Sequence, residues 1–236
     1  MKKRVIPSIL IGKGTSTVLS TKFDPWRTAG TLTQQLRLHI ARQADELILL
    51  NPFTSLTSNG RISQLVNKEV DIPICYAGGI SSLNDAEQCI QMGFERVYVS
   101  QLFHNNPNEI SKIASVLGSQ SIAVSLEYKW VKNKKNSYPV LWNYKSQMII
   151  KTSLYTAIIQ AASLGAGEIL LYNVDLDGSL SGLDKRLLRK LDDLSIEIPI
   201  LIAGGAGCDS DFSDVLIHPM ISGVVAGSIF SLTETT

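Results

Sequence analysis

Histidine and cysteine are scarce in this 236-residue chain, with three of each. His39, His104 and His218 are scattered and form no visible catalytic pair. Cys75, Cys89 and Cys208 show no metal-ligand spacing, and an odd number fits poorly with a secreted disulfide framework. No apolar run approaches the length that spans a membrane. The opening MKKRVIPSILIGKG has the basic start of a signal peptide, but its apolar run holds Pro7 and ends at Gly12, too short for an h-region. Neither sign of charge is in excess. A formal net charge of +1 argues against a dedicated nucleic-acid or anionic-membrane binder. Together these absences point to a reducing cytoplasm and to chemistry without a resident metal or cofactor.

What is present is apolar and regular. Short continuous runs recur at Arg4–Leu10, Glu46–Leu50, Ile74–Ala77, Arg96–Ser100, Ile122–Glu127, Glu168–Asn173, Ile200–Ala203 and Gly223–Ala226. Continuous rather than alternating runs mark parallel strands covered on both faces. Helical spacing fills the gaps at Thr31–Gln43, Leu83–Met92, Tyr155–Leu164 and Asp184–Leu194, with Ser81 and Ser82 as candidate caps. Eight strands with helices between them, in one domain of this length, predict a (β/α)₈ barrel. A doubly wound sheet is the alternative.

An internal repeat favours the barrel. DIPICYAGGIS at Asp71–Ser81 returns as EIPILIAGGAG at Glu197–Gly207, 126 residues later. ADELILLN echoes AGEILLYN at an offset of 122, and RVYVSQLF echoes GVVAGSIF at 127. Strands two, three and four thus correspond to six, seven and eight, as in two half-barrels of about 1–119 and 120–236. A glycine pair at a barrel strand's carboxyl end lets backbone amides approach an anion closely. A lone pair would more simply turn the chain. Two copies in one context predict two phosphate sites, one per half.

These stretches, with RVIPS, IPICYAGGI and above all the spacing in DLDGSLSGLD (Asp175–Asp184), carry a family resemblance. From Lys3 to about Phe230 the chain resembles the cyclase subunit of imidazole glycerol phosphate synthase, a two-half barrel of histidine biosynthesis. The resemblance implies one phosphate on Gly78, Gly79, Ser100 and Gln101, the weaker site because Gln101 is bulky. It implies the other on Gly178, Gly204, Gly205, Gly227 and Ser228. It implies a class I glutaminase at the amino-terminal face, near Glu95, whose ammonia enters past a charged gate of Arg4, Glu46, Arg96 and Glu168.

Departures accompany it. The family's two catalytic aspartates match Leu10 and Glu127, and leucine moves no proton. Asn51 replaces an acid that closes strand two, and the family lysine of the first loop is missing, although Lys22 lies nearby. Asp177 remains a catalytic candidate. Of Asp175, Asp177 and Asp184, hydrogen bonding rather than metal binding is expected. Cys208 follows a nest-like GGAG that would lower a thiol pKa, although a passive thiol is the simpler reading. The stretch Tyr128–Met148 reads as a long lid loop, with its lysines, Trp130, Trp142 and Tyr144 available to clamp an anionic sugar or base. PSILI and KFDPWR..G are similar to synthase-like subunits linked to acetamidino modification of bacterial surface sugars. That likeness implies ammonia delivery to a phosphorylated or nucleotide-sugar acceptor, with cyclase activity weak or lost. The alternatives are an authentic cyclase and a silent phosphate-binding scaffold that activates a glutaminase. After GVVAGSIF only SLTETT remains, which predicts no closing eighth helix.

Overall fold

The expected strands form, and each apolar run is continuous because it has two faces to bury. A computed structural model describes residues 3–53, 60–133, 136–192, 194 and 196–232. The strands that follow the eight runs are β1 (Arg4–Ile11), β4 (Leu47–Leu50), β5 (Ile74–Ala77), β6 (Arg96–Val99), β7 (Ile122–Lys132), β10 (Glu168–Asn173), β11 (Ile200–Ala203) and β12 (Ile221–Ala226). All pair in parallel, in the order β10-β11-β12-β1-β4-β5-β6-β7, and β7 returns to β10. That last pairing closes the sheet and excludes the open, doubly wound alternative.

Inward residues form a packed inner layer of Ile6, Ile48, Cys75, Tyr98, Ala123, Leu170, Leu201 and Val225, one from each strand. Their strand neighbours, such as Leu47, Val97, Val124 and Ile202, face outward into the larger core beneath the helices. This is the layered interior of a barrel, not an open pore.

Helix starts follow local chemistry. Thr31 caps α1 (Leu32–Ala41) in a capping box with Gln34. Ser82, rather than Ser81, caps α3 (Leu83–Gln91), while the Ser81 hydroxyl donates to Asp85. Ser153 caps α6 (Leu154–Ser163), and Asp184 caps α7 (Lys185–Leu191). The remaining longer helices are α2 (Gly60–Glu69), α5 (Asn108–Leu117) and α8 (Asp209–Leu216), with a short α4 (Gln101–Asn105).

Two expectations need correcting. The first loop is a hairpin, β2 (Ser16–Thr21) and β3 (Asp24–Thr31), antiparallel to the end of β1. Its serines, threonines and glycines read as turn composition, while pairing to β1 supplies the ladder. The Tyr128–Met148 stretch is not an irregular lid either. β7 runs on to Lys132 and pairs with β8 (Ser137–Asn143), which pairs with β9 (Met148–Ser153). Lys134 and Lys135 lie outside the described residues. Past the last strand the described residues form one helix of five residues, not a full closing helix. α9 (Ser228–Leu232) sends Phe230 against Phe212 and His39, with ring centroids 5.9 and 6.0 Å apart, and Arg42 donates to the Phe230 carbonyl at 2.6 Å. Among the described residues no helix is long and apolar enough to cross a membrane.

Candidate functional site

Strand periodicity places two sets of side chains at opposite ends of the barrel interior. On β1 the inward positions are Arg4, Ile6, Ser8 and Leu10; on β6 and just beyond it they are Arg96, Tyr98 and Ser100.

At the amino-terminal end the Arg4 guanidinium bridges Glu46 at 2.8 Å and Glu168 at 2.5 Å. Arg96 pairs with the other Glu168 oxygen and donates through Nε to the Gln120 carbonyl at 2.7 Å. Glu46 sits one residue before its strand and also accepts from the Cys75 thiol at 3.2 Å. The four charges therefore close on one another. Burial pushes the Glu168 carboxyl up from its ordinary value, and the Arg96 and Arg4 charges oppose that shift. Above the ring lies Tyr98, buried near the Arg96 guanidinium, its hydroxyl making no well-formed hydrogen bond among the described residues. Burial, then the Glu168 charge, push its phenol well above the usual range.

At the carboxyl end a cavity of about 660 Å³ opens between the strand ends. Its lining includes Leu10, Leu50, Gly78, Gly79, Ser100, Gln101, Glu127, Asp177, Gly178, Gly204, Gly205, Gly227 and Ser228. Among the described residues two carboxylates, Glu127 and Asp177, reach it, together with one lysine, Lys145. β1 and β7 stand four strands apart around an eight-strand ring, so Leu10 and Glu127 face each other across the mouth. Glu127 is 4% exposed and accepts from Ser100 at 2.5 Å and from Ser125 at 2.8 Å. Burial drives its carboxyl up to about 7, against the opposing effect of those two hydrogen bonds.

Asp177 is more fully engaged. It accepts from the Tyr172 and Ser20 hydroxyls, both at 2.8 Å, and from the Phe23 amide at 2.9 Å. The hairpin tip thereby folds over the mouth. Lys22 and Phe23 sit there at positive φ, 53° and 66°, and the Phe23 ring meets Tyr172 and Trp142 edge-on.

The glycine pairs have a packing reason as well. A Cβ on Gly78 would lie 2.0 Å from the Asn51 carbonyl oxygen, and one on Gly204 would lie 2.5 Å from that of Asn173. Their φ values, 143° and 98°, also lie where side chains are strained. Gly205 packs on the Gly182 carbonyl and Gly178 on that of Ser20. Gln101 pairs its amide reciprocally with Asn143, both contacts at 3.3 Å.

Several candidates lie elsewhere. None of the three histidines lines the cavity. Cys208 is exposed at the start of α8. Asp184 is buried under Tyr128, Trp130, Asn173 and Arg186, and Asp175 lies 3.7 Å from Lys129. Trp130 is spent on Asp184 and on Arg186, 4.5 Å above its ring; Trp142 packs under Lys129 at 4.6 Å. Of those aromatics Tyr144 reaches the cavity. Lys145, one of the lysines of the Tyr128–Met148 stretch, reaches the cavity too, whereas Phe23, Tyr98 and Ser125 escaped the sequence reading. For Tyr98 and Ser125 a signal was present, since each lies two residues before a singled-out position on the same strand face.

Comparison with known proteins agrees with this architecture. Residues 4–236 match the family described as histidine biosynthesis protein. The chain is 33% identical to the imidazole glycerol phosphate synthase subunit HisF of Helicobacter hepaticus, over 99% of this chain and 92% of that one. It is 32% identical to a putative HisF subunit of Leptospira borgpetersenii, over 98% and 90%. To a putative hisF3 subunit of Vibrio vulnificus it is 31% identical, over 98% and 88%. A closed barrel with these strand ends, matched along nearly its whole length, belongs to the histidine biosynthesis protein family, among chains of the imidazole glycerol phosphate synthase HisF type.

Proposed function

We propose that this chain is the barrel subunit of a glutamine-dependent synthase of the imidazole glycerol phosphate synthase type. It binds a phosphorylated ligand at the carboxyl mouth and receives ammonia from a class I glutaminase docked at the amino-terminal face. The observation that carries this reading is the placement of a charged ring and a cavity at opposite ends of one closed barrel. The ring of Arg4, Glu46, Arg96 and Glu168 closes one end, and the cavity holding Glu127 opens at the other.

Two half-barrels, about 1–119 and 120–236, each contribute one anion subsite. The first lies at Gly78, Gly79, Ser100 and Gln101, the second at Gly178, Gly204, Gly205, Gly227 and Ser228. Positive φ at the glycine pairs and the cavity they line support both sites. In the second half Ser228 opens α9 beside Gly227. In the first, the Gln101 side chain is tied to Asn143, which weakens that site. Glu127, with its carboxyl near 7, can both give and accept a proton at neutral pH. Asp177 ties the hairpin tip to the mouth and lines the cavity as a further candidate to contact the ligand.

Leu10 favours a second reading. With no acid opposite Glu127, cyclase turnover is slow, and ammonia instead serves a phosphorylated or nucleotide-sugar acceptor, as in acetamidino modification of surface sugars. Purified chain given ammonium and the histidine-pathway bisphosphate separates the two. Turnover near that of the HisF relatives establishes the cyclase. Tight bisphosphate binding with turnover lower by several orders of magnitude favours the other acceptor. No binding of bisphosphate or inorganic phosphate refutes the phosphate sites.

A further inference from the structure

Ser100 occupies the cap position of α4 but makes no side-chain capping bond. A serine there usually spends its hydroxyl on the helix amides, a contact worth about 1 kcal/mol. Here the hydroxyl turns away to Glu127 Oε2 at 2.5 Å. Ser125 is a second oddity. It is an 8% exposed hydroxyl on the inward face of β7, directly above the apolar layer that holds Ala123. It donates to the other oxygen, Oε1, at 2.8 Å. One donor on each oxygen, from two neighbouring strands, fixes both the position and the plane of the carboxyl group. A carboxylate has about four acceptor sites, so two remain for a ligand in the cavity.

The other ionisable groups around it are committed or unsuited. The Asp177 carboxylate holds three donors. Burial raises the Tyr144 and Tyr172 phenols that face Glu127, and the Glu127 charge adds to both shifts. Lys145 lines the same cavity as a cation. Across the mouth stands Leu10, paired with Leu50.

We propose that Ser100 and Ser125 are positioning residues, which together clamp Glu127 as a carboxyl group that passes a proton to a bound substrate and takes it back. This rests on the synthase-type reading above. One consequence concerns the first anion subsite. The Ser100 hydroxyl is spent on Glu127, so recognition of phosphate at that strand end falls to backbone amides.

The test follows Glu127 by carboxyl-carbon NMR across pH, with Glu127→Gln assigning its resonance. Both hydroxyls donate to the ionised form, so removing one favours the protonated form. Ser125→Ala and Ser100→Ala are each expected to raise the Glu127 midpoint by about one pH unit. Ser125→Thr, which keeps the hydroxyl, restores it. In ammonium-dependent turnover of the bisphosphate, the acid limb of kcat/KM moves up by the same amount. An unchanged midpoint in both alanine variants overturns the clamp. A shifted midpoint with an unmoved kinetic limb overturns the proton-transfer role. Absent turnover in the wild type, with bisphosphate bound, defeats the synthase reading while the NMR midpoints still decide the clamp.

Discussion

Glu127 is almost fully screened from solvent, and its carboxyl titrates near 7 rather than at its ordinary 4.5. The folded chain therefore holds this proton more tightly than the unfolded one. The resulting stability is fully present below about pH 4.5 and is lost as pH rises through 7, by up to roughly 3 kcal/mol. His39 acts in the opposite sense. Burial lowers it to about 4, so its contribution is present above 6.5 and is lost as pH falls. Between pH 5 and pH 8 the two effects oppose each other, so the urea midpoint of the wild type should change little, while that of Glu127→Gln should rise with pH because only the His39 effect remains. Leu10→Asp should raise ammonium-dependent turnover by restoring an acid opposite Glu127, at a stability cost of about 1–3 kcal/mol for a carboxyl beside Leu50. Steady-state kinetics beside a denaturation curve check both. Tyr98→Phe should leave stability unchanged or raised, because the lost hydroxyl makes no well-formed hydrogen bond among the described residues; a loss above about 1 kcal/mol would assign it a bond to the nearby Arg96.

Among the elements, α7 depends most on a single side chain. Asp184 caps it and accepts from Arg186, and the same carboxylate accepts from Tyr128 and Trp130 on β7 and from Asn173 on β10. Asp184→Ala would strand those buried donors. A loss of about 3–5 kcal/mol is expected in chemical denaturation, against about 1 kcal/mol for Ser82→Ala, where a single cap is lost. The helix starts at Thr31, Ser82, Ser153 and Asp184 follow from local residue types, because a cap needs no more than a short polar side chain at the right offset. The two antiparallel excursions were less legible. β2–β3 carries polar, glycine-containing sequence, β8 holds Pro139 inside its apolar run, and both ladders depend on the extended ends of β1 and β7 beside them.

For the whole molecule, the charge ring separates a structural role from a gating one. A closed ring that serves only packing should tolerate apolar residues of similar size, since such exchanges are often neutral. If it admits ammonia, Arg4→Met or Glu46→Leu should leave the fold and glutamine hydrolysis by the partner largely intact. Glutamine-dependent product should fall several-fold, while product from free ammonium persists. Measuring both nitrogen sources with the glutaminase present decides it. Equal loss from both sources would assign the ring to stability alone.

By itself the sequence determined the barrel. Eight doubly buried runs and a repeat of about 125 residues leave few ways to cover both faces of every strand. It also determined which residues sit at strand ends, because a period of two fixes each side chain's face once the strand is known. What those residues do to one another was decided by the closed tertiary structure. That Ser100 turns to Glu127, that Gln101 is held by Asn143, and that Phe23 and Asp177 join across the mouth are contacts between residues 27, 42 and 154 positions apart. Such contacts depend on the tilt and register of the closed sheet, quantities that no local pattern encodes.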